Sequence, residues 1–383
     1  MLFSASHMLE IPVGLGRRRY VVSVGHGLSR RLGDLLEGFR RGRVALVASR
    51  RVLGLHGKAV LRSLHGLGPV RVVPLPDGER HKTPRTLAAV YDALLEARLG
   101  RDGLVVALGG GVVGDLAGYA AATFMRGVDW AGVPTTLLAM VDSSIGGKVG
   151  INHAKGKNLI GAFHQPRAVV VDPAFLATLP VRELRSGAYE ILKCGILGDP
   201  ALFDSVRGAP AGLRGWVGPG VEGAIAAACR IKARVVEEDE REGGLRRVLN
   251  LGHTIGHALE AATRYRRFTH GEAVGWGLVG AASIARRRGL LPAADAEAIA
   301  SAVDRIGPRP AVADLPPREI LEALARDKKA RAGRVPFVLP VAIGRVEIAE
   351  DVERSEILAA LREMAGREGT APPATRRRRR PSG

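Results

Sequence analysis

The sequence predicts an α/β N-terminal domain with a Rossmann-like parallel sheet, followed by an all-α C-terminal domain. Up to residue 174, apolar runs alternate with helical patterns, an order typical of a doubly wound sheet. From residue 175 onward, apolar residues recur mainly at helical spacing. We therefore predict domains at residues 1–174 and 175–366, and an Arg-rich tail at residues 367–383 that is expected to be disordered.

The predicted strands of the N-terminal sheet are short apolar runs rich in Val, Leu and Ala. They are Tyr20–Val24, Val44–Ala48, Val70–Pro74, Leu104–Leu108, Trp130–Val133 and Ala168–Val171. Helical patterns such as Pro84–Leu95 and Gly114–Thr123 lie between several of them. Because parallel strands need long crossover connections, this alternation favours a parallel sheet.

The second domain is predicted to be helical. The spacing is clearest where Val221, Ile225, Ala228 and Ile231 fall on one face. Strand evidence in this domain is limited to Val335–Ile348. The predicted helices are Arg182–Leu197, Val221–Glu240, His253–Ala262, Glu272–Arg288, Ala293–Ile306, Pro317–Arg326 and Glu353–Met364.

Composition narrows the class of protein. The 383 residues carry a formal net charge of +19, part of it in Arg376–Arg380. The rest is spread without aromatic interleaving, so it favours steering of small anions over specific nucleic-acid binding. A nucleic-acid-binding or scaffold role that depends on the tail stays as a non-enzyme alternative.

Other compositional features concern location. No apolar run reaches the roughly 18 residues of a membrane span. Residues 1–8 are too short and too uncharged for a signal peptide, and Met8 offers an alternative start. Two cysteines, Cys194 and Cys229, do not make a disulfide framework, and they favour a cytoplasmic location.

A glycine cluster follows the strand predicted at Leu104–Leu108. Gly109, Gly111 and Gly114 have the spacing of the dinucleotide fingerprint, between a predicted strand and a predicted helix. Backbone N–H groups at such a turn bind phosphate. The acidic residue expected about 20 residues further on has two candidates, Asp129 and Asp142.

Lysine is scarce in this chain, which contains 48 Arg and nine Lys. The segment from Gly127 to Pro166 nevertheless contains Lys148, Lys155 and Lys157 and no Arg. A cluster of only Lys indicates that a compact ammonium is required there instead of a planar guanidinium. Together with the glycine turn, it predicts an enzyme that binds a phosphorylated ligand beside a dinucleotide.

Histidines suggest a metal site in the second domain. His253 and His257 are four residues apart on a predicted helix, so they share a face, and His270 follows. Imidazoles clustered in this way are typical ligands of a divalent metal. A carboxylate is needed as well, and Glu190 is the best candidate because it lies among apolar helical neighbours. Spacing leaves open which of the histidines are ligands.

The motifs together resemble the 3-dehydroquinate synthase family, over roughly Met8 to Arg362. They are Asp77–Thr83, Gly109–Asp115, Pro134–Thr136, Asp142–Asn152, Lys157–Pro166, Glu190–Lys193, Asn250–His257 and His270–Ala273. The resemblance implies a homodimeric enzyme of the shikimate pathway, with its active site in the cleft between a nucleotide-binding domain and a helical domain.

The resemblance also implies cofactors. Zn²⁺ or Co²⁺ would be held by Glu190, His253 and His270, while His257 would lie near the substrate as a hydrogen-bonding or proton-transfer group. NAD would be the redox cofactor. The residues implied for NAD are Asp77, Gly78, Glu79, Arg80, His81, Lys82, Gly111, Val112, Val113, Gly114, Asp115, Thr135, Thr136, Asp142, Lys148, Lys157, Phe175, Leu176, Ala177 and Thr178.

The implied substrate is 3-deoxy-D-arabino-heptulosonate 7-phosphate. Its phosphate and carboxylate would be held by Lys148, Asn158, Lys193, Lys232, Arg246, Asn250 and one of Lys328 or Lys329. Arg126 is implied to reach the phosphate of the neighbouring subunit.

The implied reaction begins with oxidation of the C5 alcohol by NAD. Phosphate is then eliminated, the hydride returns, the ring opens, and an intramolecular aldol step closes the carbocycle of 3-dehydroquinate. The alternatives are a sibling sugar-phosphate cyclase, such as aminodehydroquinate synthase, and a metal-dependent polyol dehydrogenase that releases NADH.

One segment departs from the family pattern. Many members have Asp and Asn after the second parallel strand, where this chain has Ser49 and Arg51. An Arg at that position favours a 2′-phosphate, which leaves NADP as an alternative to NAD. We favour NAD.

Overall fold

The computed structural model describes residues 8–39, 42–213, 215–217, 219–325 and 336–367. Its main sheet has seven strands in the order β1-β2-β9-β6-β5-β3-β4. They are β1 (Leu9–Val13), β2 (Tyr20–Val24), β3 (Val44–Ser49), β4 (Val70–Leu75), β5 (Leu104–Gly109), β6 (Asp129–Pro134) and β9 (Ala168–Val171). All six predicted strands are confirmed, and each of them pairs in parallel with at least one other.

Strand β1 was missed by the sequence analysis. It pairs antiparallel with β2 at the edge of the sheet. Its five residues include Glu10 and Pro12, so it lacks the continuous apolar run of a strand buried on both faces. Proline is tolerated at a sheet edge, where one side of the strand has no ladder partner.

Helices cover both faces of the sheet, as a doubly wound fold requires. Leu46 and Val106 point to one face and share a buried cluster with Leu32 and Leu64. Their neighbours along the strands point to the opposite face and pack in a second cluster with helices α4 and α5. The helices of this part are α1 (Leu32–Leu36), α2 (Arg50–Val52), α3 (Lys58–Leu64), α4 (Pro84–Glu96) and α5 (Gly111–Thr123).

A separate hairpin follows β6 in the chain. Its strands, β7 (Lys148–His153) and β8 (Gly156–Phe163), pair antiparallel, and β7 packs on α5. The sequence analysis missed both strands because they contain Gly, Lys, His and Asn, and little of β8 is buried. This hairpin carries Lys148, Lys157 and Asn158.

The part of the chain after β9 is mostly helical, as predicted. In the described residues, the expectation of an all-α domain is corrected by an antiparallel pair, β10 (Phe337–Ala342) and β11 (Arg345–Ala349), which largely coincides with the strand evidence at Val335–Ile348. Gly344, with φ +93°, closes its tight turn. The helices are α6 (Val181–Gly198), α7 (Pro200–Arg207), α8 (Pro219–Glu238), α9 (His253–Ala262), α10 (His270–Arg287), α11 (Ala293–Ile306), α12 (Pro317–Ala325) and α13 (Arg354–Gly366).

The structure bears on two predicted boundaries. The change from strands to helices falls between Val171 and Val181, across the predicted domain boundary, although the division into domains itself stays a prediction. Arg367, which we assigned to the tail, caps the C-terminus of α13 and pairs with Glu297. In the described part of the chain, no helix is both long enough and apolar enough to cross a membrane.

Candidate active site

The glycine cluster lies where the order of the parallel strands reverses. From β3 the chain moves outward to β4, then returns to the other side of β3 as β5 and continues to β6. Ligands of open α/β sheets bind at this switch point, outside the carboxyl ends of the strands. Gly109 and Gly110 form the turn from β5 into α5, and no acidic side chain occupies the first turn of α5. The N-terminus of α5 is therefore suited to an anion.

The residues predicted to bind the cofactor follow the carboxyl ends of neighbouring strands. Asp77–Lys82 come after β4, Thr135 and Thr136 after β6, and Phe175–Thr178 after β9. Thr135 N–H donates to the Gly109 carbonyl (3.0 Å). Because parallel strands end at one edge of a sheet, the fold brings these segments together. Their roles toward NAD stay predictions.

A buried lysine connects the cofactor segments to the hairpin. Lys82 is only 3% exposed, and its ammonium group donates to Asp115 and to Asn158 Oδ1. Burial raises the pKa of Asp115 to about 6, although Lys82 opposes the shift. Asn158 has φ +53°, so its backbone lies in the left-handed region while its side chain joins this network.

The three predicted metal ligands converge from three different helices. Glu190 lies in the middle of α6, while His253 and His270 are the first residues of α9 and α10. His253 Nε2 is 3.6 Å and His270 Nε2 is 3.5 Å from Glu190 Oε1. Tetrahedral coordination with bonds of about 2.1 Å separates ligand atoms by about 3.4 Å, so this spacing fits a divalent ion.

The unmet hydrogen-bonding capacity of Glu190 supports the same interpretation. The residue is completely buried, and neither carboxylate oxygen has a hydrogen bond of normal geometry from the described residues, although Lys193 Nζ lies 2.5 Å from Oε2. Lys193 compensates this buried carboxylate on the Oε2 side, and a metal ion on the Oε1 side, which faces the two imidazoles, would satisfy the other oxygen. The donor set, one carboxylate and two imidazoles, is one that zinc and similar metals accept.

The imidazoles are oriented for coordination. The Nδ1 atom of His253 is 3.1 Å from the Leu251 carbonyl oxygen, and the Nδ1 atom of His270 is 3.3 Å from Glu260 Oε2. If each Nδ1 carries the proton and donates it, both Nε2 lone pairs face Glu190. Helix starts position these rings: Gly252, with φ +76°, precedes His253, and a Thr269–Glu272 capping box begins α10 at His270.

Small residues allow the three helices to approach closely. The Gly271 N–H donates to Ser186 Oγ, one turn before Glu190 on α6. A Cβ atom at Gly275 would lie 2.8 Å from the ring of Tyr189, which adjoins Glu190, and one at Gly256 would lie 3.1 Å from the backbone of Ala273. The convergence of the donors thus depends on glycines at the helix contacts.

Charges in the metal-free cluster are strongly perturbed. Burial opposes ionisation of Glu190, but Lys193, His253 and His270 outweigh it and hold its pKa well below the ordinary value. Burial, reinforced by Lys193, lowers the pKa of His253. Burial also acts to lower the pKa of His270, but the contacts with Glu190 and Glu260 raise it to about 10. A bound cation would replace the proton that these carboxylates favour on His270.

Asp142 connects the glycine turn to this cluster. A Cβ atom at Gly111 would lie 3.0 Å from Ser143, so the segment with Asp142 borders the start of α5. Lys232 Nζ lies 2.5 Å from both the carbonyl and Oδ1 of Asp142. Burial would raise the pKa of Asp142, but Lys232 and Lys193 outweigh it and lower the pKa to about 2. The site predicted for the dinucleotide and the candidate metal centre are therefore adjacent.

Three other predicted anion-binding residues lie near the segment that follows Asp142 in the chain. Arg246 is 2% exposed and donates to the carbonyls of Glu240 and Gly146, while its Nε has no hydrogen-bond partner among the described residues. Lys148 Nζ lies 2.5 Å from Glu242 Oε2, and Asn250 Nδ2 donates to the other oxygen of the same carboxylate at 3.4 Å.

Of the predicted residues, Arg126 lies away from this site, and two others fall outside the described chain. Arg126 lies beyond the far end of α5, about 20 Å along the helix from Gly111, so it does not contact the site of its own chain. Its predicted role toward a neighbouring subunit is not tested by a single chain. Lys328 and Lys329 fall in residues 326–335, outside the described residues.

The sequence analysis missed two residues of the site. Glu260 contacts His270, and it falls on the same helical stripe as His253 and His257, which was a usable signal. Glu242 bridges Lys148 and Asn250 from a loop, and no spacing in the sequence indicates this contact. His257 lies close to both other imidazoles, with ring centroids 5.3 Å from His253 and 5.9 Å from His270.

Comparisons with known proteins agree with this geometry. Residues 72–186 match the family model of the 3-dehydroquinate synthase N-terminal domain, and residues 187–330 match that of the C-terminal domain. The chain belongs to the 3-dehydroquinate synthase family. A 3-dehydroquinate synthase from Synechococcus sp. (strain CC9605) is 46% identical over 363 residues, covering 93% of this chain and 98% of the relative.

Solved structures of related cyclases share the fold of this 3-dehydroquinate synthase family member. ValA, a 2-epi-5-epi-valiolone synthase from Streptomyces hygroscopicus subsp. jinggangensis 5008 with NAD⁺ and Zn²⁺ bound, superposes with a TM-score of 0.81 at 30% identity, covering 91% of this chain and 97% of that chain. A 2-deoxy-scyllo-inosose synthase complexed with carbaglucose-6-phosphate, NAD⁺ and Co²⁺ gives 0.83 at 26% identity, covering 93% and 99%.

Proposed function

We propose that this chain converts 3-deoxy-D-arabino-heptulosonate 7-phosphate to 3-dehydroquinate and phosphate. The observation that carries the proposal is the convergence of Glu190, His253 and His270 beside a cluster of buried cationic side chains, next to the glycine turn. The family assignment supports the same reaction, since curated relatives of 42–46% identity carry the name 3-dehydroquinate synthase.

We propose NAD and a divalent ion, Zn²⁺ or Co²⁺, as cofactors. The related cyclases contain NAD⁺ with Zn²⁺ or with Co²⁺. When bound, NAD accepts and returns a hydride, and the metal polarises the alcohol that is oxidised. Glu190, His253 and His270 would hold the metal, and His257, one turn after His253 on α9, would hydrogen-bond the substrate or move a proton.

For the adenosine end of the cofactor, contacts near the end of β3 favour NAD over NADP. Ser49 Oγ accepts a hydrogen bond from Val52 N–H and caps helix α2. The Arg51 N–H donates to Asp77 Oδ2 at 3.3 Å, which brings a carboxylate to this strand end. A carboxylate there would hydrogen-bond a ribose hydroxyl and repel a 2′-phosphate. This repulsion would offset the attraction of the exposed Arg51 side chain for that phosphate.

The cationic residues are proposed to hold the phosphate and carboxylate of the substrate. Arg246 is a strong candidate for a carboxylate because its buried Nε–H has no acceptor among the described residues. Lys148 and Asn250 are engaged by Glu242, and an anionic substrate group would take over those contacts. Lys193, Lys232 and Asn158 would complete the set. Such a site mainly orients the substrate, since the phosphate can serve as its own base during elimination.

We further propose a cytoplasmic homodimer. Both described cysteines, Cys194 and Cys229, are buried free thiols, which fits a reducing compartment. In the dimer, Arg126 would reach the substrate phosphate bound by the other subunit. Charge reversal, Arg126→Glu, should therefore weaken substrate binding while the fold of each subunit is kept.

The decisive experiment supplies the heptulosonate phosphate with catalytic NAD and follows phosphate release, with mass spectrometry of the product. One phosphate and one 3-dehydroquinate per substrate, without net NADH, is the expected result. Stoichiometric NADH would point to a polyol dehydrogenase. Preferential conversion of the amino analogue, in direct competition, would point to an aminodehydroquinate synthase instead.

A further inference from the structure

Glu260 is a buried acidic residue with no role in the reaction derived above. It lies on α9, three residues after His257 and seven after His253, so all three face the same side of the helix. Its side chain is 6% exposed, and Oε2 lies 3.3 Å from Nδ1 of His270. A buried carboxylate is costly unless it is paired or hydrogen-bonded, and Nδ1 of His270 lies within hydrogen-bonding distance of Oε2.

The two ring nitrogens of His270 face different carboxylates. Nε2 faces Glu190 at 3.5 Å, and Nδ1 faces Glu260 at 3.3 Å. The two nitrogens of an imidazole point away from each other. An ion bound by Glu190, His253 and Nε2 of His270 therefore lies on the side of the ring opposite Glu260 and cannot be bound by Glu260 as well. Glu260 therefore contacts the predicted ligand His270 on the side of the ring that faces away from the ion.

We propose that Glu260 is a positioning residue for the metal: by accepting a hydrogen bond from Nδ1–H of His270, it holds that ring in the tautomer and orientation whose Nε2 lone pair faces Glu190 and His253. The inference rests on the proposed metal site. His253 is oriented by the backbone carbonyl of Leu251, so the two imidazoles are supported differently. Only the support of His270 can be removed by changing a side chain.

A carboxylate in this position also has an electrostatic effect. It raises the basicity of the coordinating imidazole and adds a negative charge near the cation, and removing such a partner typically weakens metal binding about 10–100-fold. We expect Glu260→Gln to weaken zinc binding by about this factor, because the amide keeps the shape and can still accept a hydrogen bond but carries no charge. Glu260→Asp keeps the charge with a shorter reach and should recover part of the affinity.

The test measures metal affinity in the full chain, without using activity. Metal-free wild type, Glu260→Gln and Glu260→Asp are titrated with Zn²⁺ in competition with a chromophoric chelator, and with Co²⁺ while its visible absorption is recorded. Glu363→Gln is the matched control, since Glu363 is a half-buried carboxylate of the helical part that accepts hydrogen bonds from Ser283 and Arg286. The control should bind zinc like wild type. The Gln variant should bind it about 10–100-fold more weakly, with an altered cobalt spectrum.

Each contrary outcome identifies a different error. If wild type binds no zinc, the proposed metal site fails together with the inference. If wild type binds zinc and Glu260→Gln binds it equally well with an unchanged cobalt spectrum, the inference fails and the metal site stands.

His257, Glu260 and His270 also bring donor atoms within 4.8 Å of one another. A second zinc equivalent that is lost in Glu260→Gln, with the first unchanged, would make Glu260 a ligand and would refute the positioning role. If the Gln variant does not fold, the Asp variant decides: unchanged affinity and spectrum contradict the proposal.

Discussion

Lys193→Met should strongly destabilise the metal-free chain. Lys193 Nζ is 2.5 Å from Glu190 Oε2, and the two side chains are 2% and 1% exposed. At an effective dielectric of about 20, unit charges at this separation attract by about 7 kcal/mol. Much of this offsets desolvation, so removing one partner of such a buried pair costs about 3–5 kcal/mol, because the Glu190 carboxylate loses its nearest cation.

A double-mutant cycle isolates the cause of that loss. The free energy of unfolding of metal-free wild type, Glu190→Gln, Lys193→Met and the double variant would be measured in urea by circular dichroism. The double variant should lose less stability than Lys193→Met, because it leaves no buried charge. Arg318→Met is the control: its i,i+4 pair with Glu322 is exposed, so the change should cost about 0.5 kcal/mol or less.

Two results would refute this reasoning. The first is a loss below about 1 kcal/mol in Lys193→Met, which would mean that solvent or His253 and His270 already compensate Glu190. The second is a double variant as unstable as Lys193→Met, which would attribute the loss to packing. Added Zn²⁺ should restore much of the stability of Lys193→Met, since the ion supplies the missing positive charge next to Glu190.

Three further predictions follow from the site. Asp142 has a folded pKa of about 2 against an ordinary 3.8, so its contribution to the free energy of unfolding is present above pH 4 and lost as the pH falls toward 2. Because its side chain is 27% exposed, we expect Asp142→Asn to remove about 1–2 kcal/mol of this pH-dependent stability. Unfolding measured as a function of pH tests this. Gly271→Ala should place a methyl group against the backbone of Ser186 and weaken zinc binding at least tenfold in chelator competition; affinity equal to wild type would contradict the helix-contact argument. Burial raises the pKa of the Cys194 thiol to about 12, so Cys194→Ser should leave kcat nearly unchanged, and a loss of more than about tenfold would show that the thiol matters.

Much of the sheet could be predicted because its signals are local. The strands Val44–Ser49 and Leu104–Gly109 are buried on both faces, so each appears in the sequence as a continuous apolar run. The glycine turn after Leu108 likewise depends on adjacent residues, which is why its place at the strand end was predicted. The hairpin β7–β8 gave no such signal, because Gly150 and Gly161 pair across it without an apolar pattern.

The candidate metal site shows the limit of this reasoning. The spacing on α9 does not distinguish His253 from His257 as a metal ligand, since both face the same side of the helix. Only the packing of α6 and α9 against α10, with Gly271 on Ser186, brings Glu190 next to Nε2 of His253 and His270. The choice between the two histidines had to come from resemblance, because it depends on a residue more than 60 positions away in the chain.

The sequence by itself determined the parallel sheet, the glycine turn, the helical second part and the residue types of the candidate site. Those features depend on periodicity, glycine and charge within short segments. The tertiary structure decided which groups meet: Glu190 with two imidazoles, Glu260 behind His270, and Glu242 between Lys148 and Asn250. The physical reason is that local patterns specify which face of a helix is buried, whereas contacts between ionisable groups are set by how helices distant in sequence pack together.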